Sequence, residues 1–469
     1  MEKEEISEVI KGNFCVGCGV CASKENSAYE MVTTREGRYK AKLIDNNINK
    51  IRHADGLCPF SKSSNNEDVL AKSRFSDINN IKHDNEIGYY LSSYAGHVSE
   101  GEYREHGSSG GGVSWLLKEL LKNDMIDAVI HVKESKENDK LFEYSISNNL
   151  NEVRNGAKSR YYPIELSKVL QEVRNSGFQR YVIVGIPCFI KAVRNLAEKD
   201  EIIKSRIIFF IGIVCGHLKS KHFASLFAWQ HRIHPQKLKN IDFRHKLPSS
   251  SAALYSVKLD YSEDNILKSK ISKPASELYG TDWGLGFFKY KSCDFCDDVM
   301  AETADVVFGD AWAAEYREDW KGSNLIVTRN HLIDDLINNG IKNKNLKLDE
   351  VQKDIIIKSQ SGSFRHRRKG LSFRLLRLNN LGEWSPTKRV KAGEYKVDEK
   401  YKNIQEARIW FQEKVDDFFI KALEKNNFSY FKLSLFLPIM KYRLMVYGIK
   451  GLIPNTLKDY YRTYFKNVK

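Results

Sequence analysis

Three cysteines, each separated from the next by two residues, lie near the start of the chain in NFCVGCGVCAS (residues 13–23). A tight loop with this spacing can aim three thiolates at one small inorganic cluster. The same spacing occurs at the start of the cysteine motif of bacterial ferredoxins. The nearest candidate for a fourth ligand is Cys58 in LCPF. Gly17 and Gly19 suit a backbone that approaches a cluster closely. The pattern predicts a ferredoxin-like 4Fe-4S module at residues 1–70, with ligands Cys15, Cys18, Cys21 and Cys58.

The composition indicates a reducing compartment. The 469 residues are 42% hydrophobic and 29% charged, as in ordinary soluble proteins. The first residues, MEKEEISEVI, are acidic, and the chain has no apolar run of about eighteen residues, so we expect a cytoplasmic protein. Disulfides are rare there, so the eight cysteines are free thiols, redox thiols or metal ligands. The excess of 75 Lys and Arg over 60 Asp and Glu favours acidic partners.

Short apolar runs alternate with helical patterns from residue 89 onward. The runs are rich in β-branched residues, which indicates buried strands, and helices between strands favour parallel pairing. We therefore predict an α/β main domain with a mainly parallel sheet at residues 89–385, preceded by a polar linker at 61–88. The predicted strands are 126–132, 181–186, 207–214, 304–310 and 324–328, and the predicted helices are 112–123 and 189–199.

The other four cysteines lie beside these predicted strands. Cys188 and Cys215 each follow a strand, and Cys293 and Cys296 form the pair CDFC just before another. Ligands usually bind at the carboxyl ends of parallel strands, so three segments can deliver four thiolates to one edge of the sheet. The arrangement favours a second metal centre. Buried apolar cysteines, a zinc site and a redox dithiol are the alternatives.

A loop of serine and glycine runs into the predicted helix in SSGGGVSWLLKELL (residues 108–121). Unpaired amides and the helix dipole at such an N-terminus can bind a phosphate, although serine and glycine are also ordinary capping residues. The segment GAKSRYY (156–162) adds cations, a hydroxyl and an aromatic ring that suit a dinucleotide. A solvated loop is the plain alternative for this second segment.

Taken in order, six segments resemble the coenzyme F420 hydrogenase/dehydrogenase beta-subunit family over about residues 10–330: SGGGVSWLLKELL, KSRYY, GIPCFI, GIVCGH, FRHK and CDFCDDVMAETADVVFGDAW. The resemblance implies an iron-sulfur flavoprotein. The implied ligands of its 4Fe-4S cluster are Cys188, Cys215, Cys293 and Cys296. The implied FAD contacts are Ser109, Gly110, Gly111, Lys158, Ser159 and Tyr161. Members with an added ferredoxin-like module are similar to ferredoxin-linked reductases, and many bacterial relatives belong to polysaccharide biosynthesis.

These features together predict a ferredoxin-linked, flavin-dependent reductase or dehydrogenase. Electrons are expected to pass from a ferredoxin-type donor through two 4Fe-4S clusters to FAD and then to a small organic substrate, which the family context suggests is sugar-linked. His217 and Asp310 are the candidates for proton transfer, with a hydrogen bond to the cluster and a turn cap as their alternative roles. Arg244 and Lys246 are candidates for binding an anionic substrate, or are simply solvated.

Two other functions fit parts of the sequence. An electron-transfer subunit would reduce a protein partner or a deazaflavin coenzyme, and it would need no substrate pocket beside the flavin. A zinc-stabilised nucleic-acid-binding protein would account for the cysteines and the charge. The chain shows no RRM, KH or other nucleic-acid motif, so we expect no nucleic-acid partner.

The character of the sequence changes after about residue 385, and we predict a basic amphipathic helical extension at 386–469. Residues 404–425 form an amphipathic pattern, and 428–453 are apolar and aromatic with interspersed cations. This tail, together with the basic segment 364–378, suits an anionic lipid surface or an acidic ferredoxin. The plain alternative is a helix packed on the body. If the tail binds an anionic lipid surface, the protein makes a peripheral contact with the inner membrane face.

Overall fold

A mixed eight-stranded sheet forms the centre of the protein. The computed structural model describes residues 5–137, 139–248 and 251–464. The strands are β1 (Tyr29–Thr33), β2 (Tyr39–Leu43), β3 (Lys82–Asp84), β4 (Gly88–Tyr90), β5 (Ser93–Val98), β6 (Ala128–Glu134), β7 (Phe142–Ser147), β8 (Tyr181–Gly185), β9 (Ile207–Ile213), β10 (Leu238–His245), β11 (Ser256–Glu263), β12 (Ile266–Ile271), β13 (Val306–Asp310), β14 (Asn324–Thr328) and β15 (Leu346–Glu350).

Helices cover the sheet and form the carboxyl-terminal part of the chain. They are α1 (Glu5–Lys11), α2 (Ile48–Arg52), α3 (Glu67–Phe75), α4 (Tyr103–His106), α5 (Gly112–Lys122), α6 (Leu150–Asn155), α7 (Ser167–Asn175), α8 (Pro187–Ala197), α9 (Glu201–Arg206), α10 (His222–Gln230), α11 (Ala314–Arg317), α12 (His331–Lys342), α13 (Lys353–Ser359), α14 (Ser361–Arg365), α15 (Leu371–Asn380), α16 (Glu399–Glu424) and α17 (Phe428–Tyr464).

The strand order in the large sheet is β15-β5-β14-β13-β9-β8-β6-β7. The four central strands β13, β9, β8 and β6 pair in parallel, and antiparallel strands flank them on both sides. This architecture confirms the predicted α/β class. Gly185 of β8 lies opposite Gly212 of β9 in the register, so Cys188 and Cys215 leave the sheet at the same edge, each three residues further along.

The central strands form where the sequence predicts them because their apolar runs are buried. Helix α8 starts at Pro187, whose fixed φ and missing N–H suit a first helical turn. Its buried Arg194 pairs with Asp305 (Nη2 to Oδ2, 3.0 Å) and lies over the Phe210 ring at 3.5 Å. These contacts clamp α8 onto the sheet and fix the turn that carries Cys188.

The segment predicted as a polar linker is a packed part of the fold. Helix α3 begins after Asn66, whose side chain accepts from the Val69 amide (3.0 Å), and it buries Leu70 and Phe75. Strands β3 and β4 follow as a small hairpin. The linker prediction for 61–88 is therefore wrong, because the buried Leu70, Ala71 and Phe75 are enough to dock a short capped helix.

The carboxyl-terminal extension is helical, as predicted. In the basic segment 364–378, the side chains of Arg367 and Arg374 are buried, whereas that of Arg365 is exposed. No helix in the described residues is long and apolar enough to cross a membrane. The predicted tail cations beyond residue 449, which include Lys458, Arg462, Lys466 and Lys469, lie outside the residues whose side chains are described.

Candidate iron-sulfur and flavin site

The first four cysteines come together at the amino end of the fold. Cys15 and Cys18 lie in the loop after α1, Cys21 lies in a short 3-10 turn, and Cys58 follows α2. Burial raises the pKa of the Cys21 thiol well above its ordinary value, and the neighbouring Cys18, Cys15 and Cys58 sulfurs raise it further. Burial and the nearby Cys15 likewise raise the pKa of Cys58 to about 12. The four sulfurs thus form one group.

Two glycines shape the loop that carries these cysteines. Gly17 and Gly19 have positive φ angles of 72° and 81°. A Cβ atom on Gly17 would lie 2.5 Å from the Tyr39 carbonyl oxygen, and one on Gly19 would lie 2.9 Å from the Ser167 amide nitrogen. Glycine is required at both positions because other residues meet both backbone strain and a steric clash.

The second four cysteines also form one group, at the carboxyl ends of β8 and β9. Cys188 lies in the first turn of α8, Cys215 follows β9, and Cys293 lies in a 3-10 turn (Lys291–Phe295) that ends at Cys296. Burial raises the pKa of Cys188 well above its ordinary value, and the other three sulfurs raise it further. Burial raises the pKa of Cys215 to about 12 and that of Cys293 to about 11.

The two groups of cysteines are neighbours. The Cys18 sulfur raises the pKa of Cys188 in the other group, although less than the members of its own group do. The Cys188 and Cys18 sulfurs both raise the pKa of Tyr144, and the Cys15 and Cys293 sulfurs both raise the pKa of Tyr290. Two buried tyrosines therefore lie close to both groups, and the Tyr144 hydroxyl donates to the Val184 carbonyl (3.1 Å).

The donors around the sulfurs suit iron-sulfur clusters. The Ala41 amide donates to Cys15 Sγ (3.4 Å) and the Leu218 amide donates to Cys293 Sγ (3.3 Å). No group of three or more His, Cys, Asp or Glu side chains within the described residues is spaced to hold a single metal ion. In a four-iron cluster each thiolate binds a different iron, so its four sulfurs stand further apart than the ligands of one ion. Each cysteine group supplies four thiols, the number of ligands that a four-iron cluster needs.

One buried cation beside the second group was missed by sequence reasoning. Arg367 lies in a π-helical turn (His366–Gly370) and donates from Nη2 to the carbonyls of Cys215 (2.6 Å) and Gly216 (3.1 Å). Its Nε and Nη1 are buried without a hydrogen-bond partner. Burial alone would lower the pKa of Arg367, but the Cys296 and Cys215 sulfurs hold it above its ordinary value. This geometry suits a guanidinium that faces a negatively charged cluster.

The predicted flavin loop packs tightly against its own chain. A Cβ on Gly110 would lie 2.8 Å from the Gly96 carbonyl oxygen, and Gly111 has a φ of 85°. The Gly112 amide, at the N-terminus of α5, donates to Asn324 Oδ1 (2.9 Å), and Ser109 Oγ donates to the Ser323 carbonyl (2.9 Å). These contacts give the glycines a structural role, whatever ligand the loop also meets.

The second predicted flavin segment lies beside this loop. The Ser159 amide donates to Ser108 Oγ (2.9 Å), which joins the two loops, and Lys158 pairs with Asp242 (3.0 Å). The Tyr161 ring lies 5.3 Å from the Trp283 ring. Trp283 in turn lies 4.3 Å from the imidazole of His217, two residues after Cys215. The structure thus links the predicted flavin segment to the second cysteine group through aromatic contacts.

A small cleft with a cavity volume of about 10 Å³ opens beside the two loops. Among its lining residues are Ser108, Arg244, Lys246, Tyr255 and Trp320. Lys246 Nζ donates to the carbonyl oxygens of Arg104 and Ser109, the latter at 2.9 Å. Both predicted substrate residues therefore line the cleft, and Lys246 connects it to the predicted flavin loop through the Ser109 carbonyl.

The charges in this cleft are predominantly positive. Burial lowers the pKa of the Lys246 ammonium to about 7, and the nearby Lys158, Arg104 and Arg244 lower it further. Arg244 is neutralised by Asp310 at the end of β13 (Nη1 to Oδ2, 2.5 Å), but its Nε is buried without a partner. A cleft of this kind favours a ligand that brings negative charge.

The two predicted proton-transfer residues have different surroundings. Asp310 holds Arg244 in place through their ion pair. His217 is almost completely buried, and its Nε2 has no hydrogen-bond partner. Burial lowers the pKa of His217 well below its ordinary value, helped by Lys219 and Lys289. The unpaired Nε2 of His217, next to Trp283, is available for a hydrogen bond to a bound ligand.

The fold, the paired cysteine groups and the cationic cleft define a redox protein of the α/β class. Two models of one family match the chain: the coenzyme F420 hydrogenase/dehydrogenase beta subunit N-terminal region over residues 93–171 and the C-terminal region over residues 178–354. The chain belongs to this family, which is a family of oxidoreductase subunits.

Among solved structures, the chain matches one from the F420-reducing NiFe hydrogenase complex of Methanosarcina barkeri. The two chains are 14% identical, with a TM-score of 0.47, and the match covers 63% of this chain and 96% of the other. The search of curated proteins gave no significant match.

The cleft predicts a pH-dependent affinity for anions. ADP-ribose carries a diphosphate that does not titrate between pH 6 and 8, whereas the Lys246 ammonium, with its pKa of about 7, loses its charge over this range. We expect the Kd for ADP-ribose to rise by up to about tenfold from pH 6 to pH 8 and the Lys246→Gln variant to show a weak, pH-independent affinity. Isothermal titration calorimetry measures both.

The matched control is Lys268→Gln, which removes an exposed lysine on β12 and should leave the pH dependence unchanged. An equal pH dependence in wild type and Lys246→Gln would contradict the role of Lys246.

Proposed function

We propose that the protein is an iron-sulfur flavoprotein reductase. In this proposal electrons from a ferredoxin-type donor pass through two 4Fe-4S clusters to FAD and then to an organic substrate. The observation that supports it most directly is the pair of neighbouring cysteine groups, one of which lies at the carboxyl ends of β8 and β9. The proposal keeps the division into segments 1–70, 89–385 and 386–469, and it includes a peripheral membrane contact through the last of them.

Each part of the site has a role in this proposal. The clusters supply one-electron transfer and the flavin supplies its conversion into two-electron chemistry. Cys15, Cys18, Cys21 and Cys58 would hold the first cluster, and Cys188, Cys215, Cys293 and Cys296 the second. Ser109, Gly110, Gly111, Lys158, Ser159 and Tyr161 would border FAD. The buried side chains of Tyr144 and Tyr290 lie close to both cysteine groups.

The cleft determines the class of substrate that we propose. Arg244 and Lys246 would bind an anionic group, and the rings of Tyr255 and Trp320 offer flat apolar surfaces beside them. A nucleotide-linked or lipid-linked sugar combines a phosphate with a ring, so a role in polysaccharide biosynthesis is part of this proposal. An electron-transfer subunit that reduces a protein partner or a deazaflavin coenzyme is the alternative.

Metal and flavin analysis tests the assignment. Protein purified without oxygen should be brown and contain about eight irons and one flavin per chain, as two four-iron clusters require. Cys58→Ser should lose about half of the iron and keep the flavin, and Cys188→Ser is the matched variant that should lose the other half. A colourless zinc protein would overturn the proposal, as would loss of both clusters or of neither in Cys58→Ser.

The positive charge of Arg367 should raise the reduction potential of the second cluster. Reduction adds negative charge to a cluster, and a buried guanidinium stabilises that charge. We therefore expect Arg367→Gln to shift the midpoint reduction potential of this cluster to more negative values and Arg367→Lys to keep most of the wild-type potential. A redox titration followed by electron paramagnetic resonance, in a Cys58→Ser background that isolates the second cluster, measures the shift.

Arg377→Gln is the control for this titration, because Arg377 is an exposed residue paired with Glu406 (2.9 Å). An unchanged potential in Arg367→Gln at full iron content would show that the guanidinium only supports the backbone of Cys215 and Gly216.

The proton-transfer role proposed for His217 rests on its position between Trp283 and the second cysteine group. If His217 supplies a proton during substrate reduction, His217→Ala should slow flavin reoxidation by about a hundredfold or more. The assay mixes reduced protein with candidate nucleotide-linked and lipid-linked sugars and compares variants at equal iron and flavin content. An unchanged rate would rule out the role, and His106→Ala, at an exposed position, provides the control.

A further inference from the structure

Trp283 is a large aromatic residue that the fold contacts on several sides and still leaves 40% exposed. The centre of its ring lies 4.3 Å from the imidazole of His217 and 5.3 Å from the Tyr161 ring. The Lys219 Nζ atom lies 4.9 Å from the same ring. These contacts restrict the rotation of the Trp283 side chain without covering it. The indole thus presents a flat surface in a fixed orientation, which suits a planar aromatic ligand.

The backbone next to this indole is open. Gly216 is exposed and directly follows Cys215 of the second cysteine group. Its φ angle lies outside the left-handed region, and a Cβ atom built on it would meet only the Trp283 ring, at 3.5 Å, among the described residues beyond its chain neighbours. The fold therefore accepts a methyl group at position 216. A Gly216→Ala variant probes the open space beside Trp283 rather than the stability of the chain.

The carboxyl-terminal helices hold the loop that carries Trp283. Gly284 packs so closely on Tyr442 of α17 that a Cβ atom at position 284 would lie 2.6 Å from the tyrosine Oη. Arg408 of α16 fixes this hydroxyl by donating to it from Nε and Nη2, both at 3.1 Å. The Phe288 ring of the same loop packs on rings of both helices. The family models end at residue 354, so these contacts come from a part of the chain that the models do not match.

We propose that Trp283 binds the isoalloxazine ring of the flavin and that α16 and α17 position it for this role. The inference rests on the proposed function, in which FAD exchanges electrons with the second cluster. The Trp283 ring contacts both Tyr161, one of the proposed FAD residues, and His217, two residues after Cys215. A flavin ring that exchanges electrons with the second cluster has to approach the same segment, because electron transfer requires proximity.

Ligand binding to full-length protein from which the flavin has been removed tests the role of Trp283. Riboflavin carries the isoalloxazine ring without the diphosphate and adenine, whereas ADP-ribose carries these groups without the ring. Trp283→Ala should weaken the binding of FAD and riboflavin about tenfold and leave that of ADP-ribose unchanged, and Trp283→Phe should keep most of the affinity. Gly216→Ala should weaken the same two ligands, because its methyl group enters the open space. Isothermal titration calorimetry measures each affinity.

The contact between Gly284 and Tyr442 tests whether the helices position Trp283. Gly284→Ala pushes a methyl group against the Tyr442 hydroxyl and should lower the riboflavin affinity several-fold. Tyr442→Phe removes this hydroxyl, so the double variant should regain most of the lost affinity. The matched control is Gly177→Ala, at an exposed glycine where a Cβ atom would meet nothing within 4 Å, and it should bind riboflavin like wild type.

The outcomes distinguish this inference from the proposed function. In protein that binds FAD, an unchanged riboflavin affinity of Trp283→Ala would overturn the role of Trp283, and so would an equal loss of ADP-ribose binding. Wild-type riboflavin affinity in Gly284→Ala, or a double variant that binds no better than Gly284→Ala, would overturn the positioning by the helices. Wild-type protein that binds neither FAD nor riboflavin would overturn the proposed function and this inference with it.

Discussion

Burial of the cysteine thiols is the constraint on which the rest of the structure depends. Seven of the eight have pKa values raised by burial, so without a counter-charge they remain neutral thiols. Metal ligands must be thiolates, and a buried negative charge is costly unless donors and cations surround it. The chain supplies both, since backbone amides point at Cys15 and Cys293 and the Arg367 guanidinium faces the second group. The cost of burying these sulfurs therefore gives a physical reason for the burial of Arg367, which is distant from them in the sequence.

The same requirement ties the three segments of the chain into one body. Arg389, at the start of the carboxyl-terminal extension, pairs with Glu302 of the main domain (2.7 Å) and with Asp68 of α3 (2.8 Å). The Lys388 Nζ atom lies 4.3 Å from the centre of the Phe60 ring, and Phe60 is two residues after Cys58. Phe14, next to Cys15, packs on Phe295, next to Cys296, with ring centroids 4.9 Å apart. The two cysteine groups therefore sit at the meeting point of all three segments.

Sequence patterns predicted the central strands well because each is a short, largely buried apolar run rich in β-branched residues. They failed where a local signal was weak. Helix α3 has few apolar residues and depends on the body for its stability, so the polar composition of 61–88 suggested a linker. The basic run containing Arg367 and Arg374 suggested a solvent-exposed or lipid-facing segment. Inside the protein these side chains contact backbone carbonyls and a carboxylate that are distant in the sequence, so no local pattern indicates their burial.

The sequence by itself determined the cysteine spacing, the α/β pattern and the family, since local repeats and ordered motifs carry this information. Only the tertiary structure decided that the two cysteine groups are neighbours and that Lys246 joins the predicted flavin loop. It also decided that α17 packs against the loop that carries Trp283. These facts arise from contacts between residues that are distant in the chain, and their geometry depends on how strands, loops and helices pack together. Spacing along the sequence does not encode those distances.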